Sequence, residues 1–207
     1  MPDTLFLLAA LLIALTPGPG LLYVAARSLA GGRAEGIASS FGTALGGGVH
    51  ILAGALGVSA LVLASAEAFT LLKLAGAAYL VALGWRTIRQ AGTALAAAAP
   101  PPAMGHARAF REGALVEALN PKTAAFFLAF LPQWVDPAAG GVFGQFVLLG
   151  TVSVALNTAA DVLVAFAAGA LRSGAAARPR LLRRLREASG ALMIALGAML
   201  ALARRPA

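Results

Sequence analysis

The sequence predicts an all-α integral membrane protein with six transmembrane helices. Three observations carry that reading: the composition, six apolar runs of spanning length, and two helix breaks at corresponding places. Of 207 residues, 60% are hydrophobic and 12% charged, with a mean hydropathy of +0.85. A soluble domain carries about 25% charged and about 45–50% apolar residues, so water cannot be the solvent for most of this surface. At about 20 residues per crossing, the length holds six helices and short connections.

The spans fall near 4–26, 39–65, 69–89, 112–134, 142–170 and 187–203. The first run is apolar from Leu5, with Asp3 as the only charge ahead of it. Lacking a basic leader, it reads as a retained helix and not as a cleaved signal peptide. The connection from Arg27 to Ala38 is short, polar and glycine-containing, and the one around Ser65-Ala66-Glu67 is barely a turn. Breakers concentrate between Gln90 and Arg111, where Pro100-Pro101-Pro102 ends any helix and favours an extended linker. The chain thus divides into a first three-helix half (1–95), a linker (96–111) and a second three-helix half (112–207). Trp85 and Trp134 sit at span ends, where indoles anchor at the lipid–water interface.

Charge sets the orientation. The chain has 16 basic and 8 acidic residues, formally +8. In a soluble protein that excess would suggest nucleic acid, but here the basic residues crowd short connections between apolar runs, and no nucleic-acid partner is expected. Six spans put connections one, three and five on one side. With their margins these carry Arg27, Arg33, Arg86, Arg89, Arg108 and Arg111, and then Arg172, Arg178, Arg180, Arg183, Arg184 and Arg186, which is 12 of the 16 basic residues. The positive-inside rule places these connections, the proline linker included, in the cytoplasm and both termini outside.

Two spans are interrupted. Thr16-Pro17-Gly18-Pro19-Gly20 breaks the first, and Asn120-Pro121-Lys122-Thr123 the fourth. Proline removes N–H donors, and the carbonyls it frees are tolerated at membrane depth only where protein or a polar cavity receives them. Each break lies near the middle of the first span of its half, and the halves start on opposite sides. An inverted 3+3 repeat with a discontinuous first helix in each half follows, the pattern of a secondary transporter with its site near the midplane. Thr16, Pro17, Gly18 and Pro19, with Asn120, Pro121 and Lys122, are the candidate substrate-binding residues. Opposed half-helix ends suit the carboxylate or ammonium of a zwitterion, and Lys122 can meet a substrate carboxylate or an internal one.

Ionisable groups in apolar sequence complete the set. Each costs about 2.5–3.5 kcal/mol on insertion scales and needs a partner or a wet cavity. Asp161 shares a helix face with Ser153 and Asn157. Asp161, Glu117 and His50 are candidates for proton coupling or for an internal ion pair, Asp161 with Lys122 foremost. Gly42, Gly46 and Gly54 share the face of His50 and read as close helix packing. No cysteine is present, the two histidines lie on separate elements, and no Gly-Lys-Ser/Thr follows the glycines before Val49. No enzyme, cofactor or metal site is therefore expected.

Taken in order, several motifs resemble the lysine exporter and homoserine/threonine resistance family. They are Thr16-Pro17-Gly18-Pro19, Ser28-Leu29-Ala30-Gly31-Gly32-Arg33, Gly42 to His50, Gly76-Ala77-Ala78-Tyr79-Leu80 with Leu83-Gly84, Asn120-Pro121-Lys122 with Phe126-Phe127, and Leu131-Pro132-Gln133-Trp134-Val135-Asp136-Pro137. The resemblance implies a multi-pass exporter of amino acids or close derivatives in the bacterial cytoplasmic (inner) membrane, driven by proton antiport. It is compatible with a homodimer, and it makes the outer side of both termini periplasmic. It also implies that Thr16 to Pro19 and Asn120 to Lys122 belong to the transport pathway. Relatives often carry Asn at the place of Gly20 and an acid near Gly48, which leaves Asp161 and Glu117 here as coupling groups. In this reading inward proton movement drives export by alternating access, while Thr16, Asn120 and Lys122 orient the zwitterion. A channel-like or lipid-translocating protein would instead give weakly saturable flux, and an assembly or signalling subunit none.

Overall fold

Prolines and glycines decide where the helices stop. The computed structural model describes residues 3–64, 66–91, 102–171 and 179–202. Helix α1 (Thr4–Leu15) starts on Asp3, whose carboxylate accepts the Phe6 N–H at 2.7 Å as an N-cap. It ends where Thr16, extended because proline follows it, leads into Pro17. Helix α2 (Pro19–Gly31) restarts with proline in its first turn, where the missing N–H would have had no partner. The two pieces are bent by 49°. Gly32, at φ +85°, then turns the chain directly into α3 (Arg33–Ala64). The polar connection expected over Arg27–Ala38 is thus corrected to a single residue, because glycine takes the left-handed backbone without strain.

Helix α4 (Ala66–Arg89) follows; Ser65 of the expected turn lies outside the described residues. Helix α5 (His106–Ala118) begins inside the stretch expected as linker. The reason is a cap supplied from α3, where Glu35 Oε2 accepts the Met104 and Gly105 N–H groups at 3.1 Å each. Pro100 and Pro101 lie outside the described residues. After Asn120 comes α6 (Pro121–Ala125), which runs on through a π turn (Phe126–Phe130) and a 3-10 turn (Leu131–Trp134). This arm is bent by 43° from α5. The last two helices are α7 (Val142–Leu171) and α8 (Pro179–Leu202). Helix α8 starts well before the expected 187 and carries Arg183, paired with Glu187 at 2.8 Å. Arg172 and Arg178 lie outside the described residues.

Among the described residues, Val142–Ala170 is long and apolar enough to cross a membrane alone, and the bent pairs Thr4–Leu15 with Pro19–Gly31 and His106–Ala118 with Pro121–Trp134 are so together. The distribution of side chains is inside out for water. Leu8, Leu12, Leu52, Leu56, Leu71 and Leu163 face outward, while Glu35, Thr43, Glu117, Asn120, Lys122 and Asp161 are buried. Ionisable groups in lipid-embedded helices turn to the bundle interior in this way. Helix α3 packs along α5 and α7, α4 along α8, and α2 against α3 and α7. The main apolar core (Phe6, Phe126, Phe127, Phe130, Leu131, Phe146) gathers toward Trp134, whose ring meets Phe6 edge-on at 5.7 Å. At the other end Arg27 Nη1 donates to Glu35 Oε1 at 3.3 Å and to Pro102 O at 3.2 Å. The first and third connections are held together there, beside the end of α7, where Gly169 faces Arg33.

The α3–α5 approach is close because α3 presents glycines. A Cβ at Gly42 would collide with Phe110 O, and one at Gly46 with Ala114 O and, at 2.8 Å, Ala118 N. Gly46→Val should therefore cost about 1–3 kcal/mol, the usual range for overpacking, read as a lower unfolding midpoint in detergent. Gly57→Val, where a Cβ meets nothing within 4 Å, should leave that midpoint unchanged. Equal effects of the two would show that the glycine face does not set the approach.

Candidate substrate site at the two helix breaks

Ending α1 at Leu15 leaves the carbonyls of its last turn short of their usual donors, with the Thr16 N–H turning back to Ile13 O at 3.1 Å. Donors arrive from three elements. Thr16 Oγ1 donates to Leu12 O at 2.6 Å, closing its own helix end. Lys122 Nζ, from the start of α6, donates to Ile13 O at 3.2 Å and to Thr16 O at 2.9 Å. Ser189 Oγ, from α8, donates to Pro17 O at 2.9 Å. Lys122 is only 5% exposed, so these carbonyls, at the negative end of the α1 dipole, replace its hydration. Gly18 leaves room for it: a Cβ there would lie 3.0 Å from Lys122 Cε and 3.1 Å from Nζ.

The second break satisfies itself through one carboxylate. Asn120 caps α6, its Oδ1 accepting the Lys122 N–H at 3.0 Å, while its Nδ2 donates to Glu117 Oε2 at 2.9 Å. Thr123 Oγ1 donates to Glu117 Oε1 at 2.6 Å. Glu117 therefore ties the last turn of α5 to the first turn of α6. Its backbone carbonyl accepts the Asn120 N–H at 3.0 Å and the His50 Nε2–H, from α3, at 2.8 Å. Gly20 gives this carboxylate its space, since a Cβ there would collide with Oε2. The glycine that departs from the resembled motif thus accompanies a carboxylate seated against α2.

Asp161 on α7 is fully buried. Its Oδ2 accepts from Asn157 Nδ2 at 3.2 Å and lies 2.7 Å from Thr43 Oγ1 on α3. The same Thr43 Oγ1 lies 2.7 Å from Ser40 O. One hydroxyl hydrogen serves one acceptor at a time. With that hydrogen on Ser40 O, the short contact to Asp161 is a hydrogen bond only if the acid carries a proton. Among the described residues, Asp161 Oδ1 and Trp134 Nε1 are the buried side-chain atoms without a partner.

Two cavities meet at Lys122. A small one of about 30 Å³ is lined by Thr43, Glu117, Lys122, Thr123, Ser153 and Asn157 among others, which is room for water in polar surroundings. A larger one of about 310 Å³ is lined by Pro17, Gly18, Pro19, Pro121 and Lys122 of the breaks, and by Leu22, Leu83, Thr87, Gln90 and Met193.

The fold thus brings together the two breaks that the sequence singles out, but with different partners. Lys122 makes no ion pair within 4.0 Å among the described residues. The direct Asp161–Lys122 pair expected from sequence is therefore corrected: the freed carbonyls of α1 hold the ammonium instead. Thr16 turns its hydroxyl back on α1, and His50 caps the Glu117 carbonyl. Thr43, Thr123 and Ser189 escaped the sequence reading. Thr43 was legible, lying four and seven residues before Gly47 and His50 on one face, and Thr123 stands three residues after Asn120. Ser189 has no local signal. Among the described residues no three His, Cys, Asp or Glu side chains are grouped to hold a metal ion.

A family model for LysE type translocators matches residues 11–204. The chain is 32% identical over 200 residues to a Vibrio cholerae protein named as an uncharacterized membrane protein, covering 96% of each chain. It is also 32% identical to a homoserine/homoserine lactone efflux protein of Salmonella typhimurium, covering 96% of this chain and 95% of that one. A leucine efflux protein of Salmonella choleraesuis is 27% identical over 146 residues, 70% of this chain and 69% of the relative. No solved structure gives a significant match. With the helix breaks, the inside-out surface and these matches in hand, the chain belongs to the LysE type translocator family of membrane transport proteins.

Proposed function

We propose that this chain exports amino acids or close derivatives from the cytoplasm, by alternating access coupled to inward proton movement. The observation that carries the reading is the cavity of about 310 Å³ bordered by both helix breaks and by Lys122. Its volume is at the small end of ligand cavities, about 300–1,000 Å³, and it adjoins the half-helix ends that suit charged substrate groups. The efflux names carried by relatives support the substrate class. The Thr43–Asp161 contact supports a proton role for Asp161, because its hydrogen bonding has one arrangement for the acid and another for the carboxylate. Glu117, whose two oxygens are both engaged in holding its break, is the weaker candidate.

The transmembrane arrangement in this proposal is six spans in an inverted repeat, in the cytoplasmic membrane. Exchanging α1–α2 with α5–α6, α3 with α7 and α4 with α8 turns the α3–α5 contact into the α7–α1 contact, and leaves the α3–α7 and α4–α8 contacts unchanged. That exchange supports the repeat. The Arg27–Glu35–Pro102 cluster supports placing the arginine-rich connections at one end. Both termini then face the periplasm.

Transport in proteoliposomes tests the function. The wild type should show saturable amino-acid counterflow and faster export under an inward proton gradient. Asp161→Asn should keep counterflow and lose the acceleration, since Asn exchanges no proton. Asn120→Leu unpairs Glu117 Oε2 and the α6 N-terminus, at about 1–3 kcal/mol per buried group. It should lower export about tenfold or more per folded molecule, and Pro17→Ala should lower it too. Undiminished proton-driven export by Asp161→Asn would remove it from the coupling, and undiminished export by both break variants would move the site elsewhere.

Orientation has its own test. The chain has no cysteine, so cysteines introduced at Pro2 and Pro206 report without background. An impermeant maleimide added to intact cells whose outer membrane is permeabilised should label both. Protection of both would reverse the orientation, and labelling of one alone would mean an odd number of spans.

A further inference from the structure

We infer that the carbonyl pair Ile13 O and Thr16 O is a primary-ammonium site, which Lys122 occupies in this conformation and which a substrate's ammonium takes over in the transport cycle. The inference rests on the export reading above and gives its substrate site a chemical polarity. The site is built from backbone: two oxygens converge on Lys122 Nζ at 3.2 and 2.9 Å, at the C-terminal end of a broken helix. Such an end attracts cations and offers only acceptors. Nothing in it is specific to a lysine side chain, because any ammonium with two or more N–H donors meets the same oxygens.

Lys122 is also placed to leave. Its charge has no carboxylate within 4.0 Å among the described residues, and its hydrogen bonds go to carbonyl oxygens. On one side is the larger cavity, from which a ligand reaches Pro17, Gly18 and Lys122. On the other is the small polar cavity lined by Glu117, Thr123 and Asn157, where a displaced ammonium finds carboxylate and amide oxygens. Gly18 presents no Cβ toward Lys122, and one placed there would press on Lys122 Cδ, Cε and Nζ. The side-chain stem is flexible and its head is a compact donor, so the exchange needs rotation about side-chain bonds only. The ligand class that follows is a small molecule bearing a free primary ammonium. Its carboxylate is dispensable for this subsite, so amides and esters of amino acids qualify and N-acylated amino acids do not.

The test uses the full chain in lipid nanodiscs, with propylammonium, tetramethylammonium and propionate as probes and thermal unfolding as the readout. Propylammonium should stabilise Lys122→Ala saturably, at concentrations about tenfold or more below those acting on the wild type, one charge-assisted hydrogen bond being worth at least about a factor of ten. Tetramethylammonium, which has no N–H, and propionate should have no such effect. Lys122→Met, which keeps the length of the stem, is probed in the same way in case the alanine variant does not fold. A parallel measurement needs no variant: leucinamide should compete with radiolabelled leucine in wild-type counterflow, and N-acetylleucine should not. Stabilisation by propionate in place of propylammonium, equal responses of variant and wild type, or competition by N-acetylleucine would each overturn the inference. Absent counterflow with propylammonium stabilisation intact would sink the export reading and leave the ammonium site standing. Counterflow blocked by N-acetylleucine would do the reverse.

Discussion

The contact between the Lys122 ammonium and the carbonyls at the end of α1 is the one on which the other features depend. Burying an ammonium costs several kcal/mol, and freeing helix carbonyls away from water carries its own penalty. Each cost is met by the other group. The bend after Leu15 exposes oxygens that need donors, and the start of α6 delivers a cation that needs acceptors. The ammonium of one break and the carbonyls of the other satisfy each other, which joins two segments more than a hundred residues apart in sequence.

Around that contact the polar interior is nearly complete. Ser189 closes the Pro17 carbonyl, His50 the Glu117 carbonyl, and Asn120 with Thr123 the Glu117 carboxylate. A fully satisfied buried network is rigid, and a group left open within it stands out. Asp161 Oδ1 is that group, beside a threonine hydroxyl with two competing acceptors. The described bundle is thus tied together at its breaks, with Asp161 beside them holding one oxygen without a partner. Outside, exposed leucines face the lipid and carry no such information.

Much of this was legible in the sequence because the constraints are local. Proline removes a donor wherever it stands, so Thr16-Pro17 and Asn120-Pro121 announce the breaks, and a charge in apolar sequence announces Glu117, Lys122 and Asp161. The glycines of α3 were readable as a packing face for the same reason. Partner choice was not legible. Lys122 and Asp161 looked like a pair because opposite charges attract, but the competing acceptor was the backbone of α1, which has no side-chain signature. Helix ends were misjudged where caps come from afar. Glu35 starts α5 from another helix, and a single glycine replaced the whole expected connection between α2 and α3.

The central claim is most directly measured by solid-state NMR on the protein in lipid. The chain has two lysines, Lys73 and Lys122, and one Thr-Pro dipeptide, Thr16-Pro17. Labelling lysine Nζ with ¹⁵N, threonine carbonyl with ¹³C and proline with ¹⁵N therefore isolates the Thr16 carbonyl and leaves two candidate ammonium groups, which the Lys122→Met variant tells apart. A through-space dipolar contact between that carbonyl carbon and one lysine Nζ, lost in Lys122→Met, is the predicted result for an Nζ···O separation of 2.9 Å. A Thr16 carbonyl that couples to no lysine nitrogen would contradict the account, because the two breaks would then be separate kinks without a shared site.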